Sequence, residues 1–433
     1  MKIAWFTPFN VESAIGRYSK FAAEAISKYA DIDICTFSKG TLHKTFCNVM
    51  HLNMDTVYTK LNDYDITVYN IGDCAAYHSE IYEVSQHHIG VIIDHDICLF
   101  NLMYGYYIEY KKDIEGFKTL LTNKYGQYRA NELFEATLDP KKFSLLDLKT
   151  YSLSEHIGEH ALGVIVHSMY HKKYIEQFYN GDLDVIAHLD TNDNLTTLDP
   201  DIQFDGYCKG RIHILTVGNV NENKHIHSMV QVLGENKDLA AKFDYTVVGS
   251  KANTFYCQKL EKMISSYRLE SQVRLLGFVS HKELAYYYQQ ADLICNLRFP
   301  AYEGASGSIV EQMSIGKACI VSNTGVYSEL DDNAVFKVDP LNELPEIKNI
   351  LKEILHDQNK IQKVGNNAKK FAKTYFDRDV YARKVYSFLK TIIFHKPLCE
   401  LADKCAQLLC DMPSIEKISV IEKIAAELDV LYQ

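Results

Sequence analysis

Short apolar runs rich in β-branched side chains alternate with amphipathic stretches along most of the chain, and this alternation restricts the fold more than any other feature. A first series of runs lies at Lys2–Thr7, Ile32–Phe37, Ile66–Ile71, Gly90–Asp94 and Leu162–His167, with a helical pattern over Ile15–Tyr29 between the first two. A second series reads Ile212–Val217, Tyr245–Val248, Val273–Leu276, Leu293–Asn296 and Ala318–Val321, each followed by a helix-like segment. Buried strands separated by helices imply crossover connections and a parallel sheet covered on both faces. Two such series in tandem predict an α/β protein of two doubly wound, Rossmann-like lobes, and 433 residues suffice for two domains of ordinary size.

The expected organisation is a first lobe over residues 1–190, a linker over 191–210, a second lobe over 211–374, a long helix over 375–395 that crosses back to the first lobe, and a helical tail over 396–433. The linker is read from Asp190-Thr191-Asn192-Asp193 and Thr197-Leu198-Asp199-Pro200, which interrupt any periodicity and supply turn residues. Between Leu99 and Ser154 the Tyr-, Lys- and Glu-rich sequence carries no strand signal and reads as a helical insertion beside a cleft. One long amphipathic pattern runs from Asn366 to Phe394 through Phe371, Tyr375, Val380, Val385 and Leu389. In the tail, Leu398, Leu401, Cys405, Leu408 and Leu409, then Ile415, Ile418, Ile421 and Ile424 beyond Pro413, predict two short amphipathic helices that pack on the first lobe or in a homo-oligomer.

Composition narrows the partners. Lys+Arg at 46 against Asp+Glu at 56 leaves a net charge of −10, unfavourable for a phosphate backbone, so nucleic acid is not expected. No run approaches the ~18 apolar residues of a membrane span, so any membrane association is expected to be peripheral. The start, Met1-Lys2-Ile3-Ala4-Trp5-Phe6-Thr7-Pro8, lacks the pattern of a secretory signal, and the 11 cysteines are scattered without zinc spacing. A cytoplasmic protein with reduced thiols, no metal and no cofactor is the expectation.

The most informative stretch for chemistry runs from Asn296 to Glu311: a strand, a loop of small residues (Gly304, Ala305, Ser306, Gly307, Ser308), then a helix that ends at Gly316. Backbone N–H groups at such a helix start attract a phosphate or diphosphate. Glu303 before the loop and Glu311 within the helix can accept hydrogen bonds from sugars on either side of that diphosphate. The plain alternative is a Gly-rich turn with two solvated glutamates. Asp94-His95-Asp96, at a strand end, also reads two ways. As D-x-D it would hold a divalent ion against a diphosphate in one compact N-terminal nucleotide domain; that reading leaves the second lobe unexplained.

These residues resemble the retaining glycosyltransferases of family 4, which have the GT-B fold, over roughly Met1 to Phe394. Glu303 and Glu311 match the E-x(7)-E signature, which implies contact of Glu303 with donor sugar hydroxyls and of Glu311 with the nucleotide ribose. Ser306-Gly307-Ser308, with Asn296-Leu297-Arg298 upstream and Val321-Ser322-Asn323-Thr324-Gly325 downstream, resembles the subset that works on bacterial surface polysaccharides. Val217-Gly218-Asn219-Val220-Asn221-Glu222-Asn223-Lys224 is similar to the family's diphosphate segment, with Asn219 where an Arg is common; Lys224 is then the main cation for the leaving group and Arg298 its substitute. Ser13-Ala14-Ile15-Gly16-Arg17-Tyr18 resembles the Gly-rich loop of the first lobe, with Gly16 retained for donor approach or for the backbone angles of a tight turn. Strand-His95-Asp96 resembles the pair whose His faces the donor sugar, and Val164-Ile165-Val166-His167-Ser168 the last strand of that lobe. Gly277-Phe278-Val279 corresponds to a segment that contacts the base.

The resemblance implies a metal-independent, retaining hexosyltransferase that moves a sugar from a nucleotide sugar to a glycan or lipid-linked acceptor. GDP-mannose is the first donor expected, from the loop around Ser306, followed by UDP-glucose and UDP-N-acetylglucosamine. A phosphorylase of the same fold and a non-catalytic partner of another transferase are the alternatives.

Overall fold

The computed structural model of the chain describes residues 1–143, 146–192 and 210–410, together with 420, 423, 424 and 426. The first lobe holds strands β1 (Lys2–Phe6), β2 (Asp31–Thr36), β3 (Asn48–His51), β4 (Ile66–Ile71), β5 (Gly90–Asp94), β6 (Ala161–Val166) and β7 (Leu183–Val185). Its helices are α1 (Ala14–Ile26), α2 (Val57–Leu61), α3 (Ala75–His87), α4 (Phe100–Gly105), α5 (Ile114–Tyr125), α6 (Gln127–Thr137), α7 (Pro140–Phe143) and α8 (Met169–Ile175). The second lobe holds β8 (Ile212–Val217), β9 (Phe243–Val248), β10 (Val273–Gly277), β11 (Leu293–Asn296), β12 (Ala318–Ser322) and β13 (Phe336–Val338). Around them lie α9 (Ile226–Glu235), α10 (Lys237–Ala240), α11 (Thr254–Tyr267), α12 (His281–Gln290), α13 (Gly307–Ser314), α14 (Glu343–His356), α15 (Asn359–Tyr375) and α16 (Arg378–Cys410).

Both sheets are parallel throughout, in the orders β3-β2-β1-β4-β5-β6-β7 and β10-β9-β8-β11-β12-β13. Each order reverses once, between β1 and β4 and between β8 and β11, and the crevice at the carboxyl ends of such a pair is where ligands of open α/β sheets bind. Interior strands are buried on both faces: every residue of Ile-Thr-Val-Tyr-Asn-Ile in β4 is inaccessible, which is why these runs lack polar alternation.

The three short strands without a sequence signal, β3, β7 and β13, lie away from the switch points, β3, β7 and β13 being sheet edges with partly exposed residues. The insertion between Leu99 and Ser154 is helical, and Phe100, Phe117, Leu121 and Leu133 join it to the core on one face of the first sheet.

The pattern from Asn366 to Phe394 forms two helices, because α15 stops at Tyr375 and the Asp377 carboxylate accepts the N–H groups of Asp379 and Val380 at the start of α16. Helix α16 then returns to the first lobe, where Tyr381, Val385, Leu389 and Ile392 pack with α1 residues under the sheet. It continues through Pro397 to Cys410 without the break expected at residue 396, a single proline costing one helix hydrogen bond. Residues 193–209 of the linker, and Pro413, Ile415, Ile418 and Ile421 of the tail, lie outside the described residues. Among the described residues, no helix is long and apolar enough to cross a membrane.

Candidate functional site

The carboxyl ends of β8 and β11 bring Lys224, Arg298 and Glu303 together. Lys224 ends a single helical turn after β8; it is 7% exposed, and its ammonium lies over Gly218, where a Cβ would stand 2.6 Å from Nζ. Gly218 has φ +116°, so both its conformation and its missing side chain make room for the lysine. The Phe299 N–H donates to the Asn223 carbonyl at 2.8 Å, which ties the lysine turn to the loop after β11. In that loop the Arg298 Nε donates to Glu303 Oε1 at 3.0 Å, and the Tyr327 hydroxyl donates to the same oxygen at 2.7 Å.

Burial by itself would raise the Glu303 pKa, but Arg298, the Tyr327 hydroxyl and Lys224 outweigh it and hold the carboxyl below its ordinary range. Lys224 moves the other way: burial, reinforced by the Arg298 charge and only partly opposed by Glu303, pushes it down to about 7. Two cationic side chains thus share one carboxylate in a nearly water-free position. The set carries a net charge of up to +1, which attracts an anionic group.

Helix α13 begins beside this cluster. Ser306 is its N-cap, with Oγ toward the Ile309 N–H and 3.2 Å from the Ser308 hydroxyl; Gly307 is the first helical residue, and Asn296 donates to Ser308 and Gln312. Glu311 lies one turn further on and serves a different neighbour. Its carboxylate is 2.9 Å from Arg17 Nη1 of the first lobe and accepts from Thr191 Oγ1, just after that lobe, at 3.1 Å. Burial raises its pKa, with Arg17 and Thr191 opposing. The group expected to take ribose hydroxyls is therefore occupied by first-lobe donors in this closed arrangement.

From the first lobe, His95 follows β5 and is 7% exposed. Its Nε2 is 3.2 Å from Asn70 Oδ1, its Nδ1 is 3.3 Å from His167 Nε2, and its ring packs edge-on to Tyr18. Burial, followed by the His167 and His188 charges, lowers its pKa far below the usual value, so the imidazole is neutral. Both ring nitrogens face first-lobe groups, and it is the His95 main chain that crosses the cleft: its carbonyl accepts the Gly304 N–H at 3.0 Å. Asp94 and Asp96 do not act as a pair, Asp94 meeting His171 and Asp96 accepting the Asp73 N–H.

Gly16 sits in the first turn of α1, where a Cβ would stand 2.2 Å from the Pro8 carbonyl oxygen. It is thus required for close packing of α1 on the preceding loop, and the backbone-angle reading is corrected, since its φ is not positive. Asn219 is exposed beyond β8, and Phe278, at 86% exposure, projects from the far sheet edge, with Val279 partly buried against the second core. None of these three joins the Lys224 cluster. Sequence reasoning also missed Tyr327, Arg17 as the partner of Glu311, and Asn70 and His167 as the partners of His95.

The lobes are closed on one another. The cavity between His167 and His188 on one side and Ala305, Ser306 and Ile309 on the other is about 20 Å³, room for about one water. An open groove of about 530 Å³ lined by Arg211, Gln289, Asp292 and Lys317 lies at the opposite, amino ends of β8, β11 and β12, away from the chemistry.

Residues 202–371 match the model of a family described as glycosyl transferases group 1. No curated protein matches the sequence. Among solved structures the chain is similar to Anabaena Alr3699/HepE in complex with UDP-glucose, at 17% identity and a TM-score of 0.59, with 90% of this chain and 100% of that chain covered. It is similar to the sucrose-phosphate synthase of Thermosynechococcus elongatus at 15% identity and 0.60, covering 90% and 99%. WaaG, a glycosyltransferase involved in lipopolysaccharide biosynthesis, gives 14% and 0.54, covering 89% and 98%. The two facing Rossmann-like lobes are the GT-B fold.

Proposed function

We propose that the chain is a nucleotide-sugar-dependent, retaining hexosyltransferase. The observation that carries this reading is the set of buried Lys224 and Arg298 with partly buried Glu303 at the switch point of the second sheet, inside the segment that matches the transferase family model. In this reading the diphosphate lies against Lys224, Arg298 and the start of α13 at Ser306, Gly307 and Ser308. Its developing charge on departure is met by groups already in place in a low-dielectric site. Glu303 accepts hydroxyls of the transferred sugar, and Glu311 exchanges Arg17 and Thr191 for the ribose. The acceptor hydroxyl of a glycan or lipid-linked substrate attacks from the face the diphosphate leaves, which retains configuration without a carboxylate nucleophile. His95 lies on the sugar side, where its imidazole takes part by exchanging its Asn70 contact.

In this reading the lobes part as the donor enters and Glu311 releases Arg17 and Thr191. UDP-glucose replaces GDP-mannose as the donor to test first, because one structural neighbour is a UDP-glucose complex and another a sucrose-phosphate synthase. The test is a thermal-shift and calorimetry panel of UDP, GDP, ADP and their sugars, followed by NMR of the product's anomeric proton. Selective binding of one diphosphate with retained configuration is expected. Failure of every nucleotide to bind, or phosphate-dependent turnover without one, would overturn the reading.

A further inference from the structure

The single helical turn Gly325–Glu329, after β12, carries two side chains that serve opposite lobes. Tyr327 is fully buried and its hydroxyl donates to Glu303 within the second lobe. Two residues on, the Glu329 carboxylate crosses to the first lobe and accepts the N–H groups of Met169 at 3.0 Å and Tyr170 at 2.6 Å, the first residues of α8. These donors have no partner within their own helix, so a carboxylate there makes two charge-assisted bonds. The N-cap of the same helix, Ser168, donates its hydroxyl to the Gly304 carbonyl at 2.9 Å.

The main chain around Glu303 is held by the first lobe as well. The Ile97 N–H donates to the Tyr302 carbonyl at 2.9 Å and the Gly304 N–H to the His95 carbonyl at 3.0 Å, a one-residue antiparallel bridge between Asp96 and Glu303. Glu303 is thus held through its backbone by one lobe and through its carboxylate by the other.

We propose that Glu329 is a positioning residue: its docking on the start of α8 sets the 325–329 turn so that the Tyr327 hydroxyl meets Glu303, which couples contact between the lobes to the orientation of the Glu303 carboxylate. The consequence for turnover rests on the proposed role of Glu303 toward the donor sugar. The coupling itself does not.

Hydrogen exchange on the full-length protein tests the coupling without any activity. Glu329→Ala is expected to speed amide exchange at residues 168–172, 300–305 and 325–329 together, with Glu329→Gln intermediate because its amide keeps one acceptor oxygen. Faster exchange confined to 168–172, or no change in any segment, would overturn the proposal. If the alanine variant does not fold, Glu329→Gln carries the same test, and Tyr327→Phe should speed exchange at 300–305 without affecting 168–172.

Turnover of UDP-glucose supplies the second readout. Glu329→Ala should lower kcat about tenfold, with KM changed by less than about twofold, the pattern of a lost transition-state orientation. Adding Tyr327→Phe to it should lower kcat no further, since one residue acts through the other. Multiplied losses in the double variant would overturn the proposal. If the wild-type protein neither binds nor turns over any nucleotide sugar, the donor reading falls, and the exchange result decides the coupling by itself.

Discussion

The two switch points that face each other have the same topology and opposite chemistry. On the first lobe, the segments after β5, β6 and β7 carry a wall of neutral groups: His95, His167 and His188 pack against Tyr18 of α1, and burial lowers the histidines, to about 3 for His167 and about 4 for His188. On the second lobe, β8 and β11 lead into Lys224, Arg298 and Glu303, the two cations buried and the carboxylate partly so. Uncharged rings thus close on the charged floor, with Arg17 beside them meeting Glu311, and each charge on the floor acts in a low-dielectric space. The two sheets thus share one topology at their switch points and differ in the side chains that the loop starts carry there.

Breaking the charged floor is the severest challenge to this contrast. Arg298→Ala leaves the Glu303 carboxylate buried without its ion-pair partner and should cost about 3–5 kcal/mol of stability, read from urea unfolding. A loss below that of an ordinary surface substitution would show that the floor is not electrostatically closed. Lys224→Ala removes one cation from the expected leaving group and should lower turnover by about 10²–10³-fold, or about 2.7–4 kcal/mol in the barrier, in steady-state assays. Undiminished turnover would move the anion site elsewhere.

Glu311 sharpens the contrast, being a floor residue held by the wall through Arg17 and Thr191. Glu311→Ala should weaken UDP binding by about 1.5–3 kcal/mol, because ribose hydroxyls lose a charged acceptor; calorimetry showing equal affinity would remove Glu311 from the donor site. The smallest effect concerns pH. In the nucleotide-free protein Lys224 loses its proton near 7, so facing a diphosphate requires proton uptake at higher pH. UDP affinity should then fall by up to about 1.4 kcal/mol per pH unit above 7, with buffer-dependent binding enthalpies that Lys224→Gln abolishes. Were the histidine wall the titrating element, the dependence would instead fall below pH 5, near the lowered values of His167 and His188.

Much of the site is legible in the chain because its parts are local. Ser306 as N-cap and Glu311 on the same helix follow from a Gly- and Ser-rich stretch between a strand and an amphipathic run. Arg298 and Glu303 are five residues apart in one loop, so their pairing lies within reach of sequence reasoning. Tyr327 gives no such signal. It is one of 30 tyrosines and stands 24 residues from Glu303, and only the return of the chain through β12 brings its hydroxyl to that carboxylate. Gly16 packs against the Pro8 carbonyl and Asn219 and Phe278 are exposed, placements that no local pattern in the chain announces.

The sequence by itself determined the number of lobes and the parallel character of both sheets. Each follows from burial and periodicity over a few residues, and a strand covered on both faces has no other pattern available. Tertiary structure alone decided which loops meet: Glu311 with Thr191 across 120 residues, Glu329 with Tyr170 across 159, and a lysine brought near neutrality by burial beside an arginine. Contacts of that separation depend on the order in which strands join the sheet and on how two lobes close. A pairwise interaction leaves no period in the chain, because each partner obeys the local rules of its own element and carries no mark of the other.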